Sequence, residues 1–178
     1  MQMYRREHYL AKLRPFYDDA GLIKVVTGIR RCGKSSLLCS VMDELRERGV
    51  AEGNICYINL DRREYQDVNT PEKLDAVIEH SLGKSVSMRY LFIDEIQNVK
   101  GYETIVNGWR EEGDCSIFIT GSNSYLLSGE LATKLTGRYI ELEMFTLSFN
   151  EYLGMREYLG LPKKPESQVF QEYLTYGG

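Results

Sequence analysis

Residues 28–35 read Gly28-Ile29-Arg30-Arg31-Cys32-Gly33-Lys34-Ser35, a complete G-x-x-x-x-G-K-S pattern. A short β-branched run at residues 22–27 precedes it and predicts a buried strand. Apolar residues then recur with a helical period over residues 34–48, and Gly49 follows where a helix would end. A strand, a glycine loop and a helix in this order are the setting in which this pattern binds phosphate.

Each part of the 28–35 loop has a chemical task. Glycines let the backbone curl so that successive N–H groups converge on phosphate oxygens, and the helix N-terminus adds partial positive charge. Lys34 supplies a mobile cation for the β- and γ-phosphates, and the Ser35 hydroxyl is a ligand for Mg²⁺. The alternative is a glycine turn with an incidental lysine, which the flanking strand and helix disfavour. The residues predicted to contact the nucleotide are Gly28, Ile29, Arg30, Arg31, Cys32, Gly33, Lys34, Ser35 and Ser36. Arg30 and Arg31 either add charge near the nucleotide or face solvent or a partner domain.

Two carboxylates, Asp94 and Glu95, directly follow an apolar run at residues 90–93. They are therefore expected at the carboxyl edge of a strand, where ligands bind in open α/β sheets. Asp94 is predicted to hold Mg²⁺ through its water shell, and Glu95 to polarise the water that attacks the γ-phosphate. Alone, the two residues could simply cap the next helix; beside the 28–35 loop they favour a catalytic role.

The reaction class follows from what accompanies these motifs. The sequence has no Asn-Lys-x-Asp guanine reader, which argues against a GTPase of the translation-factor type. A glutamate beside the magnesium aspartate argues against a small-molecule kinase. Hydrolysis of ATP, with Mg²⁺ as cofactor, is therefore favoured. A phosphotransferase and a non-hydrolysing nucleotide-binding scaffold for protein or nucleic acid stay open as alternatives.

Ser122 and Asn123 follow a predicted strand at residues 116–120. If that strand lies between the loop strand and the Asp-Glu strand, either side chain is placed to contact the γ-phosphate or the attacking water. Both residues equally suit the N-cap of the helix that follows.

Arg138 directly precedes a predicted strand at residues 139–144. An arginine here stabilises charge on the leaving phosphate, in its own subunit or in a neighbour's. The alternative is a surface arginine paired with Glu141 or Glu143.

Strands and helices alternate along the chain, which predicts an α/β fold with a mainly parallel sheet and right-handed crossovers. The five predicted strands are residues 22–27, 55–60, 90–93, 116–120 and 139–144. Two helices are predicted at residues 4–13 and 34–48. Two more are predicted to begin at Thr70-Pro71 and at Tyr102, and another to end at Leu135. The last two are predicted to begin at the Ser148–Glu151 capping box and near Ser167. We expect an N-terminal helix at 1–20, a core at 21–146, and at 147–178 the start of a helical lid or C-terminal domain that continues beyond these residues.

The bulk composition is that of a soluble globular protein, with 178 residues, 43% hydrophobic residues and a net charge of −4. This charge argues against a chain that coats nucleic acid or anionic membrane. The basic residues Arg5, Arg6, Lys12 and Arg14 are expected to form a solvated helix face. Four scattered cysteines show no metal-ligand spacing, and no signal peptide or apolar run of about 20 residues is present. A cytoplasmic protein is expected.

Several segments together resemble a known family. They are residues 23–38, 91–97 and 119–123, then Gly137-Arg138 followed by residues 147–153. In this order they resemble the AAA-type P-loop ATPase domain of prokaryotic ATPases, related to the archaeal-ATPase and STAND groups, that precedes a C-terminal domain of unknown function. The resemblance implies a three-layer P-loop NTPase sandwich whose five-stranded parallel sheet is of the additional-strand type, with the loop strand between the fourth and fifth.

The resemblance also implies a function. Mg-ATP is the expected ligand, Ser122 or Asn123 the sensor, and Arg138 an arginine finger. ATP hydrolysis is expected to drive or switch a C-terminal effector domain. Other copies of the same chain, in a homo-oligomer, are among the expected partners. Family members continue beyond residue 178, so the lid and the effector domain are expected to lie largely outside these residues.

Overall fold

The computed structural model describes residues 4–82, 87–122, 135 and 137–177. Its sheet contains five parallel strands in the order β2-β3-β4-β1-β5. The strands are β1 (Ile23–Gly28), β2 (Ile55–Asn59), β3 (Arg89–Asp94), β4 (Cys115–Gly121) and β5 (Tyr139–Met144). The loop strand β1 therefore lies between the fourth and fifth strands, and the predicted α/β fold is confirmed.

Six α-helices occur within the described part of the chain. They are α1 (Glu7–Leu13), α2 (Lys34–Glu47), α3 (Pro71–Ser81), α4 (Tyr102–Glu111), α5 (Phe149–Tyr158) and α6 (Glu166–Tyr176). The predicted helix that runs to Leu135 falls mostly on residues outside the described ranges. None of the helices in the described ranges is long and apolar enough to cross a membrane.

Local sequence signals set the starts of two helices as predicted. The Thr70 side chain accepts a hydrogen bond from the Lys73 N–H at the start of α3, and Pro71 occupies the first turn. At the start of α5, the Ser148 side chain and the Glu151 side chain form a reciprocal capping box.

Helices cover both faces of the sheet, which gives three layers. On one face, strand residues such as Val25 and Ile93 are buried against α3 and α4, whose Trp109 belongs to the same cluster. On the other face, Phe92 and Phe118 stack at 4.7 Å beneath α1 and α2. The inner strands β1, β3 and β4 are buried at every position, which explains why consecutive residues in them are apolar instead of alternating with polar ones.

Helix α5 departs from the sequence prediction. The positions of Tyr152 and Leu153 after the capping box predict that both face a core, but α5 has no buried residue and both are only half-buried. The α5 rings instead contact α6, with Phe149 5.0 Å from Phe170 and Tyr152 5.5 Å from Tyr173 between ring centroids. The division of the chain into three regions stays a prediction.

Candidate nucleotide-binding site

The 28–35 loop connects the end of β1 to the start of α2 at the carboxyl edge of the sheet. Gly28 has a φ of 154°, and a Cβ there would lie 2.5 Å from the Met144 carbonyl oxygen and 2.7 Å from Cys32 Sγ. Gly33 is left-handed, with a φ of 101°, and α2 receives no side-chain cap. The N–H groups in the first turn of α2 are therefore available to an anion.

Lys34 lies over this loop with only 4% of its surface exposed. Its Nζ donates to the Gly28 carbonyl at 3.1 Å and to the Ile29 carbonyl at 3.2 Å. The same nitrogen lies 3.8 Å from Glu95 Oε1. Because two neutral carbonyls and a distant carboxylate hold it, the ammonium can exchange these contacts for phosphate oxygens.

The other predicted nucleotide contacts differ in exposure. Cys32 is buried and Ser35 is half-buried, whereas Ile29, Arg30, Arg31 and Ser36 are exposed. Arg31 has a φ of 68° and contributes to the curl of the loop.

Asp94 ends β3 and is fully buried. Its Oδ2 accepts hydrogen bonds from Tyr57 OH at 3.0 Å and from Asn59 Nδ2 at 3.1 Å. Its Oδ1 accepts one from the Thr120 hydroxyl. Burial and the nearby Asp94 charge raise the pKa of Tyr57, so this phenol stays a donor at neutral pH. The carboxylate is thus fixed in place by three side chains.

Sequence reasoning missed these three supporting residues. Tyr57 and Asn59 lie on β2, and Thr120 lies on β4, the two strands that flank β3. The parallel register places Asn59 opposite Asp94. Polar residues near the ends of strands that are predicted to finish at the same carboxyl edge of the sheet could have indicated these supporting contacts.

Glu95 adopts a left-handed conformation, with φ 59° and ψ 48°. Its N–H donates to Thr120 Oγ1 at 2.9 Å, and its Oε2 accepts a hydrogen bond from Gln97 Nε2. It precedes a short 3₁₀ helix, Ile96–Asn98, but makes no side-chain cap bond there. The side chain is therefore directed to Lys34 and Gln97 rather than to helix capping.

The remaining predicted site residues separate into two places. Ser122 directly follows Gly121, which pairs with Thr27 at the carboxyl edge of the sheet, beside the loop. Asn123 lies outside the described residues. Arg138 is exposed at the opposite edge, because it precedes Tyr139, which pairs with Ile23.

The position of Arg138 limits its role. Five residue steps of β5, about 16 Å, separate Tyr139 from Met144, the partner of Gly28. An arginine side chain does not span that length, so of the two alternatives Arg138 is not placed to reach the loop of its own subunit, and a role at a neighbouring copy stays a prediction. Glu141, one of the two carboxylates proposed to pair with Arg138, accepts a hydrogen bond from Thr27 Oγ1 at 3.0 Å.

The predicted solvated basic face of α1 is wrong for Arg6. Arg6 is buried beneath the 28–35 loop, where its Nη1 donates to the Cys32 carbonyl at 2.9 Å. Arg5 and Arg14 are partly exposed and pair with carboxylates, Arg5 with Glu47 on α2. The partners of Arg6 lie far away in sequence, so no local pattern indicated that Arg6 is buried against the loop.

The match to a protein family covers this whole site. The family model for an AAA domain matches residues 21–153. The chain belongs to this AAA domain family. An uncharacterised protein of Haemophilus influenzae is 42% identical over 176 residues, which are 99% of this chain and 44% of that protein. This AAA domain chain therefore spans less than half the length of that relative.

Solved structures share the fold of this AAA domain. The Aeropyrum pernix ORC1 protein, solved in complex with DNA, matches with a TM-score of 0.60 and 14% identity over 89% of this chain and 50% of that one. The Aeropyrum pernix ORC2 protein, solved in ADPNP–ADP complexes, matches with a TM-score of 0.56 and 13% identity, covering 85% of this chain and 48% of that one. The predicted AAA-type P-loop domain is confirmed in family and in fold.

Proposed function

We propose that this AAA domain binds Mg-ATP at the 28–35 loop and hydrolyses it. The observation that carries the proposal is the meeting of two separate motifs, with Lys34 Nζ 3.8 Å from Glu95 Oε1 at the carboxyl edge of the sheet. A cation for phosphate and a carboxylate for orienting water are two of the groups that enzymes use to hydrolyse nucleoside triphosphates.

The residues present fit a magnesium nucleotide. The glycine cradle at Gly28 admits no Cβ, and the uncapped start of α2 offers N–H groups to phosphate oxygens. The Ser35 hydroxyl and the fixed Asp94 carboxylate are hard oxygen ligands of the type that Mg²⁺ prefers. Mg²⁺ at this site would neutralise charge on the phosphates.

Lys34 and Glu95 divide the chemistry between them. Lys34 exchanges the Gly28 and Ile29 carbonyls for the β- and γ-phosphate oxygens. Glu95, no longer paired with Lys34, then accepts a hydrogen bond from a water and orients it toward the γ-phosphorus. The left-handed backbone of Glu95, pinned by Thr120, presents the carboxylate at this edge.

Ser122 and Asn123 are proposed to sense the γ-phosphate, and Arg138 to act on a neighbouring copy. Arg138 lies at the amino edge of its own sheet, so only an oligomer can bring it to a nucleotide. A C-terminal effector domain is the proposed target of the cycle, in keeping with the greater length of the Haemophilus influenzae relative. The nucleotides named for the Aeropyrum pernix ORC2 structure are adenine nucleotides.

Phosphate release from Mg-ATP tests this proposal with three proteins: the wild type, Lys34→Ala and Glu95→Gln. We expect Lys34→Ala to lose nucleotide binding, and Glu95→Gln to bind a fluorescent ATP analogue but release no phosphate. Hydrolysis by Glu95→Gln at the wild-type rate would show that the catalytic assignment is wrong. Transfer of phosphate to an added acceptor would favour a phosphotransferase, and binding without turnover by the wild type would favour a scaffold.

A further inference from the structure

Arg6 lies beneath the 28–35 loop with 7% of its surface exposed. Its Nη1 donates to the carbonyls of Cys32 at 2.9 Å and Phe145 at 2.8 Å, and its Nη2 to the carbonyl of Thr146 at 3.2 Å. Nε and Nη2 bind the two carboxylate oxygens of Glu151 at 2.8 and 2.9 Å. All five N–H groups of the guanidinium therefore have acceptors within the protein, and Arg6 is not placed to bind a phosphate itself.

The bond to Cys32 fixes the direction of a loop peptide. In a trans peptide the C=O and the following N–H point to opposite sides. With the Cys32 carbonyl held by Arg6, the Gly33 N–H is directed away from Arg6. Gly33 has no Cβ to separate the two, and a Cβ there would lie 4.0 Å from Arg6 Nη1.

The bonds to the other acceptors tie the loop to the start of α5. Phe145 and Thr146 directly follow β5, and Glu151 lies in the first turn of α5, where it also caps Ser148. Burial alone would raise the pKa of Glu151, but hydrogen bonds from Arg6 and Ser148 lower it to about 2. Glu151 is thus ionised at neutral pH, and the pair is a side-on, bidentate ion pair.

We propose that Arg6 is a positioning residue for the 28–35 loop: it orients the Gly33 N–H toward the phosphate, and through Glu151 it couples nucleotide binding to helix α5. The inference rests on the proposed function, because it requires a nucleotide at the loop. Coupling of this kind is reciprocal. A nucleotide that orders the loop therefore also stabilises α5, and an attached α5 strengthens nucleotide binding.

Two variants remove this coupling by different routes. Arg6→Lys keeps the positive charge but cannot reproduce the side-on contact with Glu151 together with the bond to Cys32, because lysine donates from a single nitrogen. Glu151→Gln keeps the capping box but removes the charge that Arg6 binds. Arg5→Lys is the matched control, since Arg5 pairs with Glu47 on the partly exposed side of the same segment.

Three readouts test the proposal: the Kd for a fluorescent ATP analogue with Mg²⁺, hydrogen exchange of the α5 amides with and without that analogue, and the melting temperature of each variant. In the wild type we expect nucleotide to protect the α5 amides. In Arg6→Lys we expect binding at least about fivefold weaker and no nucleotide-induced protection of α5. Glu151→Gln should also lose that protection, and Arg5→Lys should match the wild type.

The outcomes separate the two claims. Wild-type Kd and α5 protection in Arg6→Lys would overturn the coupling while leaving the proposed function intact. A lower melting temperature with nucleotide-induced α5 protection preserved would also overturn it, because that is the result of a purely structural role. If the β1 and α2 amides of Arg6→Lys lose their protection from hydrogen exchange, that variant is unfolded and Glu151→Gln becomes the test. Nucleotide-induced protection of α5 in Glu151→Gln equal to that in the wild type would then overturn the coupling. If the wild type and Lys34→Ala bind the analogue equally, the proposed function fails, and the coupling fails with it.

Discussion

Replacing Thr120 with valine removes one hydroxyl and leaves the shape of the side chain nearly unchanged. This hydroxyl accepts the Glu95 N–H at 2.9 Å and donates to Asp94 Oδ1, and Thr120 is fully buried. Thr120→Val therefore leaves a partly buried N–H without this acceptor and a buried carboxylate short of a donor. The substitution also removes the hydrogen bond from the Glu95 N–H that holds Glu95 in its left-handed conformation.

The expected loss of stability follows from those two bonds. A hydrogen bond to a charged group contributes about 1.5–3 kcal/mol, and an unsatisfied buried N–H costs about 1–3 kcal/mol. Because the two effects share one hydroxyl, we expect the free energy of unfolding to fall by about 2–5 kcal/mol. Thr120→Ser keeps both bonds and loses one methyl group, which costs about 1 kcal/mol.

Urea unfolding followed by the fluorescence of Trp109, the single tryptophan, measures both variants. Phosphate release from Mg-ATP should fall sharply in Thr120→Val and remain near the wild-type rate in Thr120→Ser. If valine costs no more stability than serine and leaves turnover unchanged, Thr120 does not hold Asp94 and Glu95 as described.

Three further predictions use other parts of the structure. Gly28→Ala should abolish nucleotide binding and lower the melting temperature, because its Cβ would lie 2.5 Å from the Met144 carbonyl oxygen. As a control, Gly108→Ala in α4 should raise the free energy of unfolding by about 0.5–1 kcal/mol, because a Cβ there meets nothing within 4 Å. Burial lowers the pKa of Lys24 from its ordinary value of 10.5 to about 8. Between pH 8 and pH 10.5 Lys24 is therefore neutral in the folded chain and protonated in the unfolded chain, so the free energy of unfolding rises with pH. Urea unfolding at pH 7.5 and pH 10 should therefore show a gain in the wild type, relative to Lys24→Met, of up to about 3 kcal/mol; no difference between the two proteins would contradict the lowered pKa. Arg138→Ala should slow phosphate release, and adding Glu95→Gln protein, which retains Arg138, should restore part of the rate if the arginine acts between copies; an unchanged rate in Arg138→Ala would remove it from the mechanism.

The sequence predicted the sheet well because its signals are local. The inner strands are buried on both faces, so each contains consecutive apolar residues rather than an alternation of apolar and polar ones. The capping residues Thr70 and Ser148 marked helix starts, because each needs only neighbours within one turn.

The parts that were not predicted depend on contacts between distant residues. Arg6 resembles an ordinary surface arginine on a short helix, because its acceptors at residues 32, 145, 146 and 151 are brought to it only by the folded sheet. Tyr57 and Asn59 support Asp94 only in the register that pairs β2 with β3. The distance of Arg138 from the loop could have been inferred, since a residue before a parallel strand lies at the edge opposite to a loop that follows one.

The most direct test of the central claim is a binding titration of Mg-ATP, followed by calorimetry, with the wild type and Lys34→Met. Methionine keeps an apolar stem in this buried position and removes the ammonium that contacts the loop. Loss of one charge-assisted contact, about 1.5–3 kcal/mol, predicts binding about 10- to 100-fold weaker in Lys34→Met than in the wild type. Equal affinity in the two proteins, or no binding by the wild type, would contradict nucleotide recognition at the 28–35 loop.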